Sequence, residues 1–152
     1  MGELSSKLED YLEAILVVQR EKKVARVKDL AEILMVRPPT VNSAIKKLER
    51  LGLVEHQNYG YISLTPKGEE IARCVYERHK TLLDFLVRVL EVDPKKALAQ
   101  ACGMEHSINE FTRNRIQALS EFFACKPEIL KLWRQFCDER KEENNSCGGG
   151  EP

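Results

Sequence analysis

Val27–Gly52 reads VKDLAEILMVRPPTVNSAIKKLERLG, and this stretch decides the fold. Leu30, Ile33 and Leu34 recur at helical spacing and predict a short helix over Val27–Met35. Pro38 and Pro39 stop it, and Pro39 also suits the first turn of a second helix, where its missing N–H is not needed. That second helix carries Val41, Ile45, Leu48 and Leu51 on one face and ends at Gly52. Two short helices joined by a tight turn, the second amphipathic, form a helix-turn-helix. Thr40, Asn42, Ser43, Lys46 and Lys47 lie off the apolar stripe, beside Pro39, and Arg37 stands in the turn just before. Short polar and basic side chains at that end of a helix suit base edges and phosphates of duplex DNA. Arg26 and Lys28, at the start of the preceding helix, are further phosphate candidates.

Leu53–Gln57 and Tyr61–Leu64 follow as two strands around the turn cluster Asn58-Tyr59-Gly60, a hairpin placed as a wing. Tyr59 and Tyr61 stand near its tip, where they can touch backbone or minor groove. The alternative is a helical hairpin that merely has a polar surface. The order helix, Pro-marked turn, helix, hairpin favours DNA reading over it. Upstream, Ser6-x-x-Glu9 reads as a capping box. Leu8, Tyr11, Leu12, Ile15, Leu16 and Val18 then continue a first helix to about Gln19, followed by a polar loop at Glu21–Lys23.

Downstream the chain reads as all-helical. Thr65-Pro66 caps a long helix to about Leu90, and Asp93-Pro94 opens another near Lys95–Gly103. Ser107 begins a helix with Phe111, Ile116, Leu119 and Phe122, and Pro127 opens a last one with Leu130, Leu132, Trp133 and Phe136. The expected architecture is mainly α with a small β-hairpin wing. A winged helix-turn-helix over 1–70 precedes an all-helical metal-binding and dimerisation domain over 71–141, and 142–152 is a polar, Gly-rich disordered tail. A single short recognition helix binds weakly, so the aromatic- and Leu-rich helices are expected to make a homodimer.

Composition narrows the class. The 152 residues have zero formal net charge, yet Arg20–Arg50 holds nine Lys/Arg against four Asp/Glu. A local basic stretch in a neutral chain is the footprint of a DNA-facing segment. No apolar run can span a bilayer and no leader opens the chain, so a cytoplasmic protein without membrane association is expected. Five cysteines, an odd count, fit a reducing compartment. Cys74 reads as core, and Cys125, Cys137 and Cys147 form no zinc-type pair. There is no nucleophile–base arrangement and no phosphate loop, so no enzyme is expected.

Ligand-type side chains fall in three groups. Asp10 and Glu13 are one turn apart on the first helix, His79 lies midway along the long helix, and Cys102, Glu105 and His106 share a face by their spacing. Each group alone has an ordinary reading as solvated acid, structural histidine or small buried thiol.

Together with the order of elements, these residues resemble the diphtheria toxin repressor family, which includes iron-dependent repressors and manganese transport regulators. The resemblance runs from Leu8 to Phe123 through DYLEAI at 10–15, ARVKDLA at 25–31, PTV at 39–41, LTPKG at 64–68, Arg78-His79 and Glu105-His106. It implies a regulatory metal held by Asp10, Glu13, His79, Cys102, Glu105 and His106. Manganese-type members carry Glu where this chain has Cys102. Iron-type members carry Cys there but Met in place of Asp10, so the set is a hybrid. Iron-type members also carry a Glu where this chain has Leu83, so a full second site of that kind is not implied. The length matches the two-domain type without an SH3-like domain. Three carboxylates and two imidazoles suit Mn²⁺ or Fe²⁺, and the thiol shifts preference to softer ions, so Fe²⁺ is expected first and Mn²⁺ second, with Co²⁺, Ni²⁺ and Zn²⁺ able to bind in vitro. The expected function is a metal-dependent repressor of metal-uptake genes, acting as a homodimer on operator DNA. The alternatives are a winged-helix regulator that metal does not gate, whether small-ligand-sensing or constitutive, and, more distantly, a metalloenzyme.

Overall fold

A computed structural model describes residues 4–57 and 60–147. It contains α1 (Ser6–Lys22), β1 (Ala25–Arg26), α2 (Val27–Ile33), α3 (Pro38–Arg50), β2 (Val54–Gln57), β3 (Tyr61–Leu64), α4 (Pro66–Arg88), α5 (Pro94–Glu105), α6 (Glu110–Cys125) and α7 (Pro127–Cys147). The chain divides into two compact units, 1–80 and 81–152, with the boundary inside α4. Among the described residues no helix is long and apolar enough to cross a membrane.

The first unit is the expected winged helix, with one more strand. The sheet order is β1-β3-β2, all antiparallel, with Ala25 opposite Ile62 and Val54 opposite Leu64. Leu12 and Ile15 of α1, Leu30 of α2, Val41, Ile45 and Leu48 of α3, and Ile62 of β3 are buried in one core. The helix pair is shaped by two similar endings. After α2, Met35 takes a left-handed φ of 51°, donating to Glu32 O, while Val36 donates to Ala31 O. After α3, Gly52 does the same at φ 68°, with Gly52 N to Glu49 O and Leu53 N to Leu48 O. Both are Schellman endings, the first with methionine where glycine is usual. So α2 has already ended before the prolines, and Pro38 and Pro39 instead start α3. Thr65 locks the return: its hydroxyl donates to Gly52 O and accepts from Gly68 N. A Cβ at Gly68 would lie far inside contact distance of the Leu53 carbonyl, so this close approach needs glycine.

The capping box expected at Ser6 and Glu9 does not form. Ser5 is the N-cap and its side chain makes no cap bond. Glu9 is engaged elsewhere, accepting from Arg78 of α4 at 3.0 Å, a charge-assisted bond stronger than a neutral cap contact. The other end of α1 runs on to Lys22 through the expected loop, because Lys22 meets the buried carboxylate of Asp29 at 2.8 Å. Asp29 also accepts from Arg26 N–H, tying α1, β1 and the start of α2 together.

In the second unit Leu82, Leu86, Ala97 and Ala101 form a small core. Asp93 caps α5 through Lys95 N and Lys96 N, and Asn109 caps α6 through Thr112 N, so α6 starts after the expected Ser107. α7 closes the C-terminal end of α4: Trp133 Nε1 donates to Val89 O and Arg134 to Arg88 O. α7 runs to Cys147, into the segment expected to be disordered, continuing from the Glu139-Arg140-Lys141 run of good helix formers. Residues 148–152 lie outside the described residues. Cys74 is exposed, correcting its reading as core; on α4 it flanks the buried stripe of Ala72 and Val75.

The Asp29 carboxyl lies below its ordinary 3.8 because the Lys22 ammonium donates to it, against the opposing effect of burial. Its folded value is the lower one, so its contribution is complete above about 3.8 and is lost as pH falls through the folded value. Asp29→Ala should cost about 1 kcal/mol near neutrality through loss of the cap on Arg26 N–H. Urea unfolding at descending pH should show the gap to wild type narrowing in acid. A gap that stays constant would remove the carboxylate from that role.

Candidate nucleic-acid interface and metal centre

The candidate DNA face lies wholly in the first unit. Burial of Val41, Ala44, Ile45 and Leu48 turns the other side of α3 outward. Thr40, Asn42, Ser43, Lys46 and Lys47 are all exposed, as are Arg37, Pro38 and Pro39 at its start. Ser43 donates to Pro39 O at 3.0 Å, which holds its hydroxyl along the helix. Arg26 and Lys28 are exposed as well. Tyr59 lies outside the described residues.

The sequence did not pair Arg26 with Tyr61. β1 aligns them across the sheet, the guanidinium lies 5.0 Å from the ring centroid, and it donates to the Tyr61 hydroxyl at 3.1 Å. Two residues of strand are too short for an alternation pattern, so β1 left no readable signal. An apolar-floored groove of about 430 Å³ separates α1 from α3, floored by Leu8, Tyr11, Leu34, Val36 and Ala44. Burial, with the Asp10 carboxylate beside it, raises the Tyr11 phenol above its ordinary 10.0.

The six candidate metal ligands divide between the units. In the first, Asp10 and Glu13 are half-buried on α1, and Glu13 and His79 of α4 bring ligand atoms within 4.8 Å. In the second, Cys102 and Glu105 lie in the last turn of α5 and bring theirs within 4.8 Å, while His106 is the residue that ends the helix. His106 Nε2 is 3.4 Å from Glu105 Oε1, and the Glu105 carboxylate is fully buried. Two ligands of one ion, each about 2.0–2.3 Å from it, stand at most about 4.5 Å apart, so both pairings fit a divalent cation. A fully buried carboxylate needs a compensating partner, and a divalent cation shared with the adjacent imidazole is one that this donor pair suits. Cys102 is exposed rather than a buried apolar residue.

Recognition helix, wing and two groups of carboxylate, imidazole and thiol side chains that could hold a metal point to a class: winged-helix transcriptional regulators with a metal-binding helical part. Comparison with known proteins makes this specific. Residues 3–62 match the iron-dependent repressor N-terminal DNA-binding domain, and residues 65–134 the iron-dependent repressor metal-binding and dimerisation domain. The chain belongs to the iron-dependent repressor family, whose members are DNA-binding transcriptional regulators, not enzymes. It is 37% identical over 124 residues to an uncharacterised HTH-type transcriptional regulator of Methanocaldococcus jannaschii, covering 81% of this chain and 99% of that one. It is 34% identical over 124 residues to the HTH-type transcriptional regulator MntR of Lysinibacillus sphaericus, covering 82% and 88%. Among solved structures, a manganese-dependent transcriptional repressor in complex with manganese aligns with a TM-score of 0.69 and 32% identity, over 76% of this chain and 53% of that chain. The IdeR of T. acidophilum aligns at 0.66 and 27%, over 76% and 54%. The chain thus spans about half the length of these solved chains.

Tyr61→Ala should free the Arg26 guanidinium and weaken binding to duplex DNA about fivefold, the order of one lost phosphate contact, whereas Tyr61→Phe keeps the stacking and should lose less. Fluorescence anisotropy at fixed salt reads both. Equal affinities for all three proteins would take Arg26 off the interface.

Proposed function

We propose that this protein represses transcription by binding operator DNA as a homodimer when a divalent transition metal, Fe²⁺ or Mn²⁺, is bound by Asp10, Glu13, His79, Cys102, Glu105 and His106. The observation that carries the reading is the fully buried Glu105 carboxylate against His106, in a family with a metal-binding domain over these residues. A bound divalent ion supplies charge neutralisation among the carboxylates. In its absence Asp10, Glu13 and Glu105 oppose one another when brought close. α1 bears two of these ligands on the same helix that packs beneath α3, so restraint on α1 reaches the recognition helix through a close-packed core. Two recognition helices then meet half-sites about one DNA turn, roughly 34 Å, apart. Acting on DNA, the protein works inside the cell.

Cys102 favours Fe²⁺ over Mn²⁺ by its softness, while similar proteins described as manganese regulators point to manganese. Metal-free protein titrated onto duplex DNA should bind weakly and tighten on addition of either ion under anaerobic conditions. Glu13→Gln and His106→Ala should lose most of that stimulation, and Cys102→Glu should move the preference toward Mn²⁺. DNA binding that ignores chelator, metal and these substitutions alike would favour a regulator not gated by metal. Activation of wild type by Mn²⁺ alone would reverse the order of the ions.

The second unit supports the dimer. Phe111, Leu132 and Phe136 of α6 and α7 are 67%, 63% and 52% exposed, and α6 has no buried residue. Apolar faces of this kind on a family dimerisation domain fit a second copy. Phe111→Glu with Leu132→Glu should yield monomers by sedimentation and weaken operator binding at least tenfold. A double variant that stays dimeric would place the interface elsewhere.

A further inference from the structure

We propose that the groove between α1 and α3 is a seat for a DNA phosphate, and that Asp10 acts there as a charge gate as well as a metal ligand. The proposal rests on α3 being the DNA-contacting helix and on Asp10 being a ligand. Ser5, Lys7 and Asp10 line the α1 side of the groove, and Thr40, Ser43 and Lys47 line the α3 side. The α3 residues belong to the exposed face that meets DNA, and Ser5 and Lys7 are exposed too, so a strand following α3 passes the mouth of the groove. The ammonium groups of Lys7 and Lys47 and the hydroxyls of Ser5 and Thr40 are the donors that phosphodiester oxygens take. Asp10 is the only acid among the lining residues. Its carboxylate adds negative charge at the groove, against a phosphate there, and a divalent cation beside it would reverse the sign of that contribution. Metal binding therefore reaches DNA affinity by a second, purely electrostatic route, which needs no movement of α1.

This separates from the ligand role in metal-free protein. If Asp10 acts only as a ligand, its substitution leaves metal-free binding as weak as that of wild type. If it also gates the groove, removing the charge strengthens metal-free binding. The experiment is anisotropy with AT-rich duplex in chelator at several salt concentrations, using wild type, Asp10→Asn, Asp10→Ser, Lys7→Ala, Lys47→Ala and, as a surface control on the second unit, Lys126→Ala. Like-charge opposition across the groove is worth about threefold in affinity at low salt, so both Asp10 variants should bind about threefold tighter than wild type, with the gain fading as salt rises. In the same titrations on metal-loaded protein Lys7→Ala should lower the slope of log K against log salt by about one, as Lys47→Ala does, while Lys126→Ala leaves it unchanged. Two substitutions at Asp10 keep a folding defect in one from deciding the result, and thermal melts identify it. Metal-free binding by both folded Asp10 variants that is no tighter than wild type overturns the gate. An unchanged slope for Lys7→Ala beside a lowered one for Lys47→Ala overturns the seat alone. Unchanged slopes for both would instead overturn α3 as the DNA-contacting helix.

Discussion

The packing of α1 beneath α3 is the constraint on which the rest depends. Leu12 and Ile15 are wholly buried with Val41, Ile45 and Leu48 in one core. Burying side chains of this size contributes about 1.5–3 kcal/mol each, so the contact is not one the protein can give up to respond to a ligand. It can only carry a response, because a close-packed interior transmits displacement instead of absorbing it. The same helix turns Asp10 and Glu13 away from that stripe. One helix thus holds the recognition element with its apolar side and presents the proposed metal ligands on its polar side.

Charged contacts fix α1 at both ends. Glu9 meets Arg78 near its start, and Lys22 meets buried Asp29 at its close. Asp10 and Glu13 fall between these anchors. Exposed ion pairs stabilise little, but side chains that are mostly covered define geometry more strongly, and both anchors have at least one such partner. The arrangement leaves α1 little freedom to swing. Its remaining freedom is in the charge its polar side presents, which a cation held by Asp10 and Glu13, as proposed, would change.

Much of this was legible in the sequence because it rests on strong local signals. Helical periodicity in 27–52, the paired prolines and Gly52 located the helix-turn-helix, and every candidate DNA residue of α3 is exposed, as the apolar stripe required. What failed did so where a distant partner outcompeted a local rule. Glu9 left its capping role for Arg78, sixty-nine residues away. Lys22 extended α1 because Asp29 awaited it. β1 was unreadable because two residues have no period, and the Arg26–Tyr61 pair went with it. Met35 ended α2 in a conformation that composition assigns to glycine, so α2 had already closed before Pro38 and Pro39, which begin α3. The groove was beyond sequence reasoning, since its two walls are far apart in the chain.

A repressor of this kind needs only a modest coupling between metal and DNA, typically about 1–3 kcal/mol, and the coupling acts equally in both directions. One large conformational step is not required to supply it. In the proposed mechanism a restrained α1 would contribute a part by fixing α3 against the sheet, and a dimer would multiply that part because both half-sites must be met together. Relief of carboxylate charge beside the DNA face would add another part, small per subunit but doubled in such a dimer. Asp10 is half-buried, at the edge of both the groove and the ligand-bearing face of α1, so neither use of its charge is independent of the other. On the proposed assignment, metal that neutralises it would strengthen the groove for phosphate, and phosphate in the groove would favour the neutralised state. The same carboxylate would then couple the two sites by its position alone, with no moving part needed to bridge the distance between them.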